Sequence, residues 1–136
     1  MKANKYLLLI LALLILAVML TACGRKTIVV NDYISVKFSG TDHMGTAESS
    51  LDWEQLVKDN MDVFGLNSFE DPEFPAVIQR LDEALRGNLD LQDNLSNGDQ
   101  ITYHWSDDNL NVLEEYNANF VMEDKSFTVN GLEPTN

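Results

Sequence analysis

The sequence predicts an α+β domain: a small antiparallel sheet of about four or five strands, two or three helices between its halves, and a helical apolar leader in front. Three observations carry this. Apolar residues alternate at Ile34, Val36 and Phe38 and again at Ile101, Tyr103 and Trp105, the period of a strand with one buried face. Between those runs, Trp53, Leu56, Val57, Met61 and Phe64, and then Val77, Ile78, Leu81, Ala84 and Leu85, recur at helical spacing. Strand patterns at both ends with helical patterns between them fit an α+β chain better than a repeated βαβ one.

The leader comes first. Lys2 and Lys5 make a basic start, and residues 6–20 follow without a charge. That run matches a signal-peptide core and falls short of the roughly 20 residues a membrane-spanning helix needs. It ends in Leu20-Thr21-Ala22-Cys23-Gly24. Small residues before a Cys resemble the lipobox of bacterial lipoproteins. The resemblance implies cleavage between Ala22 and Cys23, a diacylglycerol on the Cys23 thiol, and a protein held by lipid at the extracytoplasmic face of the cell membrane. A diacylated Cys supplies the two hydrophobic signals that stable anchoring takes.

After the leader, residues 23–30 read as the lipidated Cys and a short tether carrying Arg25 and Lys26, which anionic headgroups would attract. Residues 31–132 read as one acidic domain and 133–136 as a tail. Residues 33–39 form a first strand, 40–45 a hairpin connection, and 46–51 a second strand with Ala47, Ser49 and Leu51 on one face. Asp52 stands as N-cap with Gln55 three residues on, a capping box, and Gly65 as the stop of a helix. Asp71-Pro72 opens a second helix that Gly87 closes. A polar connection, 88–97, leads through Gly98-Asp99 into the strand 100–105. Asp107 or Asp108 caps a short third helix to about Tyr116, and 120–122 and 126–129 are two closing strands.

Composition narrows the function. The chain has 136 residues, a formal charge of −13 and one Cys. Of its 9 basic residues Lys2 and Lys5 fall in the leader, leaving seven against 22 acidic ones, so the charge from residue 23 onward is −15. Such a surface repels phosphate backbones, which argues against nucleic acid as a partner. A single Cys excludes a disulfide framework or a multi-Cys metal site.

Four stretches become familiar when taken in order. They are residues 32–40 (Asp32-Tyr33-Ile34-Ser35-Val36-Lys37-Phe38-Ser39-Gly40), Gly45-Thr46-Ala47 through Leu51-Asp52, Leu95-Ser96-Asn97-Gly98-Asp99, and residues 125–132 from Lys125-Ser126-Phe127 to Asn130-Gly131-Leu132. Together they resemble a small extracellular domain found in surface lipoproteins and membrane-anchored, sometimes zinc-ribbon-bearing, envelope proteins of Gram-positive bacteria. The resemblance spans about residues 31–132. Its motifs are turn and strand signals without a catalytic residue, and the family has no assigned biochemical activity. It implies a location and a fold.

No catalytic constellation stands out. His43 and His104 are the two histidines, and no His-Glu-x-x-His run joins them. No Gly-x-Ser-x-Gly elbow occurs. Asp107-Asp108 and Glu114-Glu115 read as a helix cap and a solvated face rather than as a glycosidase pair. The run from Asp93 to Gly98 has Gly at the sixth place of a calcium loop, but Leu95 occupies a ligand place and His104 stands where a bidentate Glu belongs. Trp53 and Trp105 lie on the apolar faces of their elements and read as core. The expectation is therefore a non-catalytic, lipid-anchored envelope binding module with no catalytic residue, metal site or cofactor. Its partners would be the membrane, through Cys23, and an envelope protein or cell-wall component. An extracytoplasmic solute- or cation-binding protein is the first alternative and a small cell-wall hydrolase the second.

Overall fold

Alternation of Ile34, Val36 and Phe38 with polar residues produces strand β2 (Ile34–Ser39) in the computed structural model, which describes residues 4–6, 10 and 24–136. The lipid acceptor Cys23, the cleavage position Ala22 and most of the expected leader helix lie outside the described residues. Strand β2 pairs antiparallel with β3 (Thr46–Leu51), in a register running from Ile34 opposite Leu51 to Ser39 opposite Thr46. Gly40 and His43 adopt positive φ between them and reverse the chain.

The class is α+β, with seven strands and two α-helices among residues 24–136. The strands do not form one sheet. Strand β4 (Gly87–Leu89), β5 (Gln100–Trp105) and β7 (Lys125–Thr128) make an antiparallel sheet in the order β4-β5-β7. Strand β1 (Lys26–Val29) pairs in parallel with β6 (Ala118–Val121). The expected free tether is thus part of the fold from Lys26 onward. The physical reason is burial, since Ile28 is 2% exposed and Val30 is 0% exposed.

Two apolar cores result. One gathers helix α1 (Trp53–Asp59), helix α2 (Phe74–Ala84) and the β1–β6 pair around Ile28, Leu56, Val57 and Leu81. The other lies between the β2–β3 and β4-β5-β7 sheets around Ile34, Ala47, Ile101, Tyr103 and Val129. Leu51 and Trp105 pack against both.

Local chemistry explains the remaining departures. The Asp52 carboxylate accepts the Gln55 N–H at 3.0 Å, but the Gln55 side chain turns forward to Asp59 instead of back to Asp52, so only half of the capping box forms. Helix α1 stops at Asp59 because the buried Asn60 amide donates to the Leu56 carbonyl at 2.8 Å, replacing the backbone donor that would continue it. Gly65 still closes the following turns: Leu66 N–H reaches Met61 O at 3.0 Å across its positive φ. Helix α2 starts at Phe74, with Pro75 in its first turn and Asp71 holding the turn before it through Glu73 N–H. Gly87 does not close that helix. It opens β4 inside the stretch expected to be a polar connection, and a Cβ there would overlap the His104 carbonyl oxygen and the Tyr103 ring. The expected third helix is a 3₁₀ segment, Leu110–Glu115, without a side-chain cap. A second 3₁₀ segment, Val30–Tyr33, joins β1 to β2.

Candidate functional site

The site begins at the seam of the two cores, where two sheets come close without joining. At Gly45 and Ala47 the outer edge of β3 is paired: Gly45 exchanges both backbone bonds with Leu95, and Ala47 N–H donates to Gln92 O at 2.9 Å. The period of two along a strand turns the N–H and C=O groups of Ser49 and Leu51 to that same side. Strand β4 obeys the same parity. Arg86 O accepts from Ser106 and Asp90 N–H donates to Thr102, so Gly87 and Leu89 turn their backbone groups away from β5. Among the described residues neither outward pair has a backbone partner.

Trp53 and Leu85 line the space beside these edges. Both are buried, and the chain leaves β3 for α1 and enters β4 from α2 at this point. The result is an open groove of about 560 Å³. Ser49, Ser50 and Leu51 line one side, Gly87 and Asn88 the other, and Leu85 and Tyr103 are among the apolar residues of its wall. The Trp53 indole donates to Asp82 Oδ1 at 3.1 Å, and Arg86 Nε donates to Asp82 O at 3.3 Å at the C-terminal end of α2. Burial pushes the Tyr103 phenol up from its ordinary pKa, so it stays a neutral apolar surface at physiological pH. Chemically, the groove offers main-chain donors and acceptors, one carboxylate, one guanidinium and an apolar wall.

A second groove of about 570 Å³ lies beside the start of β1. Arg25, Leu110, Leu113, Tyr116, Phe120 and Met122 are among its lining residues. Arg25 and Lys26, expected to face headgroups, have protein partners. Arg25 Nε donates to Asn117 at 3.3 Å, and Lys26 Nζ to Asp62 at 3.1 Å, which lowers the Asp62 carboxyl pKa. Cys23 lies outside the described residues, so only Gly24 and Arg25 separate it from β1.

The histidines fall on the surface, apart from each other. His104 Nδ1 lies 2.7 Å from Asp124 Oδ2, both more than half exposed. His43 makes a contact that sequence reading missed: Nδ1 lies 2.7 Å from Ser96 Oγ, and Nε2 lies 3.6 Å from Asp42. The composition is that of a hydrolytic triad. Its surroundings are not, because the Ser96 and Asn97 N–H groups that would receive an oxyanion donate to the Asp99 and Asp42 carboxylates, each at 2.8 Å. The cluster latches the β2–β3 hairpin to the turn before β5. Only the fold brings residues 42 and 96 together, and no local pattern announces them. Trp53 is buried as expected, whereas Trp105 is half-buried and donates to Asn31 and to the Glu123 carbonyl.

Among the described residues there is no group of three or more His, Cys, Asp or Glu placed to hold a metal ion. No helix among them is long and apolar enough to cross a membrane. No family model, curated protein or solved structure matches the chain.

Proposed function

We propose that the chain is a lipid-anchored envelope protein, held at the extracytoplasmic face of a Gram-positive cell membrane by a diacylglycerol on Cys23. Its acidic domain binds another envelope component and catalyses no reaction. The observation that carries the binding role is the seam groove, which presents unpaired main-chain groups beside an apolar wall but has no histidine or hydroxyl–base pair among its lining residues. Support for the anchor comes from Leu20-Thr21-Ala22-Cys23 and from the shortness of the link. Gly24 and Arg25 extend at most about 7 Å, so a lipid on Cys23 would keep the domain against the bilayer. The four strand and turn stretches that resemble the Gram-positive extracellular domain support the same location.

A small polar solute is the second reading, favoured by Asp82 and Arg86 standing together in a groove within the usual size range of ligand sites. A hydrolase acting on wall glycans needs two carboxylates, and Asp82 is the single one among the groove's lining residues.

The test is metabolic labelling with a fatty-acid analogue followed by a pull-down from intact cells, comparing the full-length protein with Cys23→Ser and identifying partners by mass spectrometry. The expected result is a labelled, membrane-bound protein with a specific envelope partner, and loss of label, membrane association and partner in Cys23→Ser. An unlabelled wild type overturns the anchor. A labelled protein that captures only bulk membrane and wall proteins overturns the binding role.

A further inference from the structure

We propose that Asn130-Gly131 is a site of spontaneous covalent modification, where the asparagine closes to a succinimide and reopens as isoaspartate, and that the site lies in the strap closing the second core. The proposal is independent of the anchor and of the seam groove. The chain holds two Asn-Gly pairs, Asn97-Gly98 and Asn130-Gly131. Both asparagines are exposed, and a Cβ at either glycine would meet open space, so access does not separate them. Hydrogen bonding does.

Asn97 is held at each group the reaction uses. Its Nδ2 donates to Leu132 O at 3.1 Å, its Oδ1 accepts Leu132 N–H at 3.0 Å, and Gly98 N–H donates to Val129 O at 2.8 Å. Ring closure there requires a local opening that breaks these bonds. Asn130 differs. Its Nδ2 donates to Thr128 O at 3.4 Å, longer than an ordinary N–H···O bond. Gly131 N–H has no backbone partner among the described residues. Nucleophile and electrophile are thus unrestrained at the second pair alone.

The chemistry takes only water from outside the chain. Gly131 N attacks Asn130 Cγ, and the Cγ–Nδ2 bond breaks, Nδ2 leaving as ammonia with the proton from Gly131 N. Water then opens the succinimide. Attack at the Asn130 main-chain carbonyl leaves Gly131 N on Cγ and gives isoaspartate, whereas attack at Cγ gives aspartate. Either product exchanges one amide for one carboxylate.

Position gives the modification its effect. On one side Val129, 1% exposed, donates its N–H to Asp99 O at 2.8 Å. On the other Leu132, 5% exposed, sits in the Asn97 clamp, and Glu133 bonds through both backbone groups to Gly40 and Asp42. Asn130 and Gly131 span the gap between these fixed points. Isoaspartate routes the main chain through Cγ and adds one carbon atom to the span, while aspartate adds charge alone. The lengthened strap no longer fits both ends, so the Asn97 clamp and the Glu133 contacts loosen.

The experiment incubates the full-length protein in detergent micelles in mildly alkaline buffer, beside a sample unfolded in urea. Digests are read by mass spectrometry that separates isoaspartate from aspartate. In the folded protein Asn130 is expected to convert at least about tenfold faster than Asn97, and in urea the two rates should agree to within about threefold. Amide exchange at Leu132 and Glu133 should then be at least about fivefold faster in the isolated isoaspartyl protein. Asn130→Asp, which carries the charge on an ordinary backbone, should leave that exchange unchanged. An Asn130 that stays intact in the folded protein overturns the site. Equal conversion of Asn97 in the folded protein, or a difference that persists in urea, overturns the protection by its bonds. Unchanged exchange in the isoaspartyl protein, or equal loosening in Asn130→Asp, overturns the effect assigned to the added backbone atom.

Discussion

The side-chain amide of Asn31 and the peptide unit of Glu123, separated by 92 positions, hydrogen-bond each other reciprocally. Asn31 Nδ2 donates to Glu123 O at 2.6 Å, and Glu123 N–H donates to Asn31 Oδ1 at 3.1 Å. The same Oδ1 also accepts the Trp105 indole N–H at 3.1 Å, and Asn31 O accepts Lys125 Nζ at 3.1 Å. One side chain thus ties the 3₁₀ segment before β2 to the end of β5 and to the turn between β6 and β7.

Asn31→Asp keeps the acceptor for Trp105 but sets a carboxylate against the Glu123 carbonyl, so both Asn31→Asp and Asn31→Ala should destabilise the fold. At about 1 kcal/mol per neutral bond, Asn31→Ala should cost about 2–3 kcal/mol. A urea midpoint that falls at unchanged slope, together with altered Trp105 fluorescence, is the expected outcome.

Chain boundaries provide a second check. Ile28 is buried at 2% exposure in the strand that pairs with β6. A chain starting at residue 31 should therefore lose cooperative unfolding, whereas one starting at residue 24 should keep it. Ile28→Ala in the full chain should cost about 2–5 kcal/mol by thermal or urea denaturation.

The half-formed capping box separates two side chains that sequence spacing treats as equals. Asp52→Ala removes the acceptor of Gln55 N–H and should cost about 1 kcal/mol. Gln55→Ala removes only an exposed contact to Asp59 and should change stability by less than about 0.5 kcal/mol. Equal costs in urea titrations would contradict the observed orientation of Gln55.

The pH dependence follows from Tyr33 and Asp59, whose phenol and carboxylate are joined at 2.8 Å. Burial first, and then Asp59, pushes the Tyr33 pKa from 10.0 up to about 12. Its stabilisation is complete below pH 10 and is lost as pH rises through about 12. The hydrogen bond from Tyr33 first, and that from Gln55 second, lowers the Asp59 pKa below 3.8, so its contribution is present above that pH and is lost on further acidification. Tyr33→Phe should flatten the alkaline loss between pH 9 and 12 and part of the acid loss below pH 4, measured as urea midpoints against wild type.

Several elements were legible because their signals are local. The strands β2, β3 and β5 announce themselves by alternation, and Asp52 caps α1 where the spacing puts it. Other signals were local yet ambiguous. Gly65 and Gly87 both stand after apolar helical runs, but Gly65 takes positive φ at the end of a turn, while Gly87 leaves room for the Tyr103 ring and the His104 carbonyl. Nothing within a few residues of Gly87 distinguishes them, since the demand for a missing side chain comes from β5. The buried Asn60 amide, which donates to Leu56 O, has no such local signal.

By itself, the sequence determined the α+β class, the hairpin and the start of the first helix. Periodicity, capping and turn preference act over a handful of neighbouring residues, so they can be read from the chain in order. Tertiary structure alone decided that Lys26–Val29 joins the fold beside β6, that the strands divide into three sheets, and that Ser49 and Leu51 face Gly87 and Asn88 across an open groove. Those outcomes depend on which apolar faces meet when Ile28 and Ala118, or Trp53 and Leu85, compete for the same buried space, and that competition is between residues far apart in the chain.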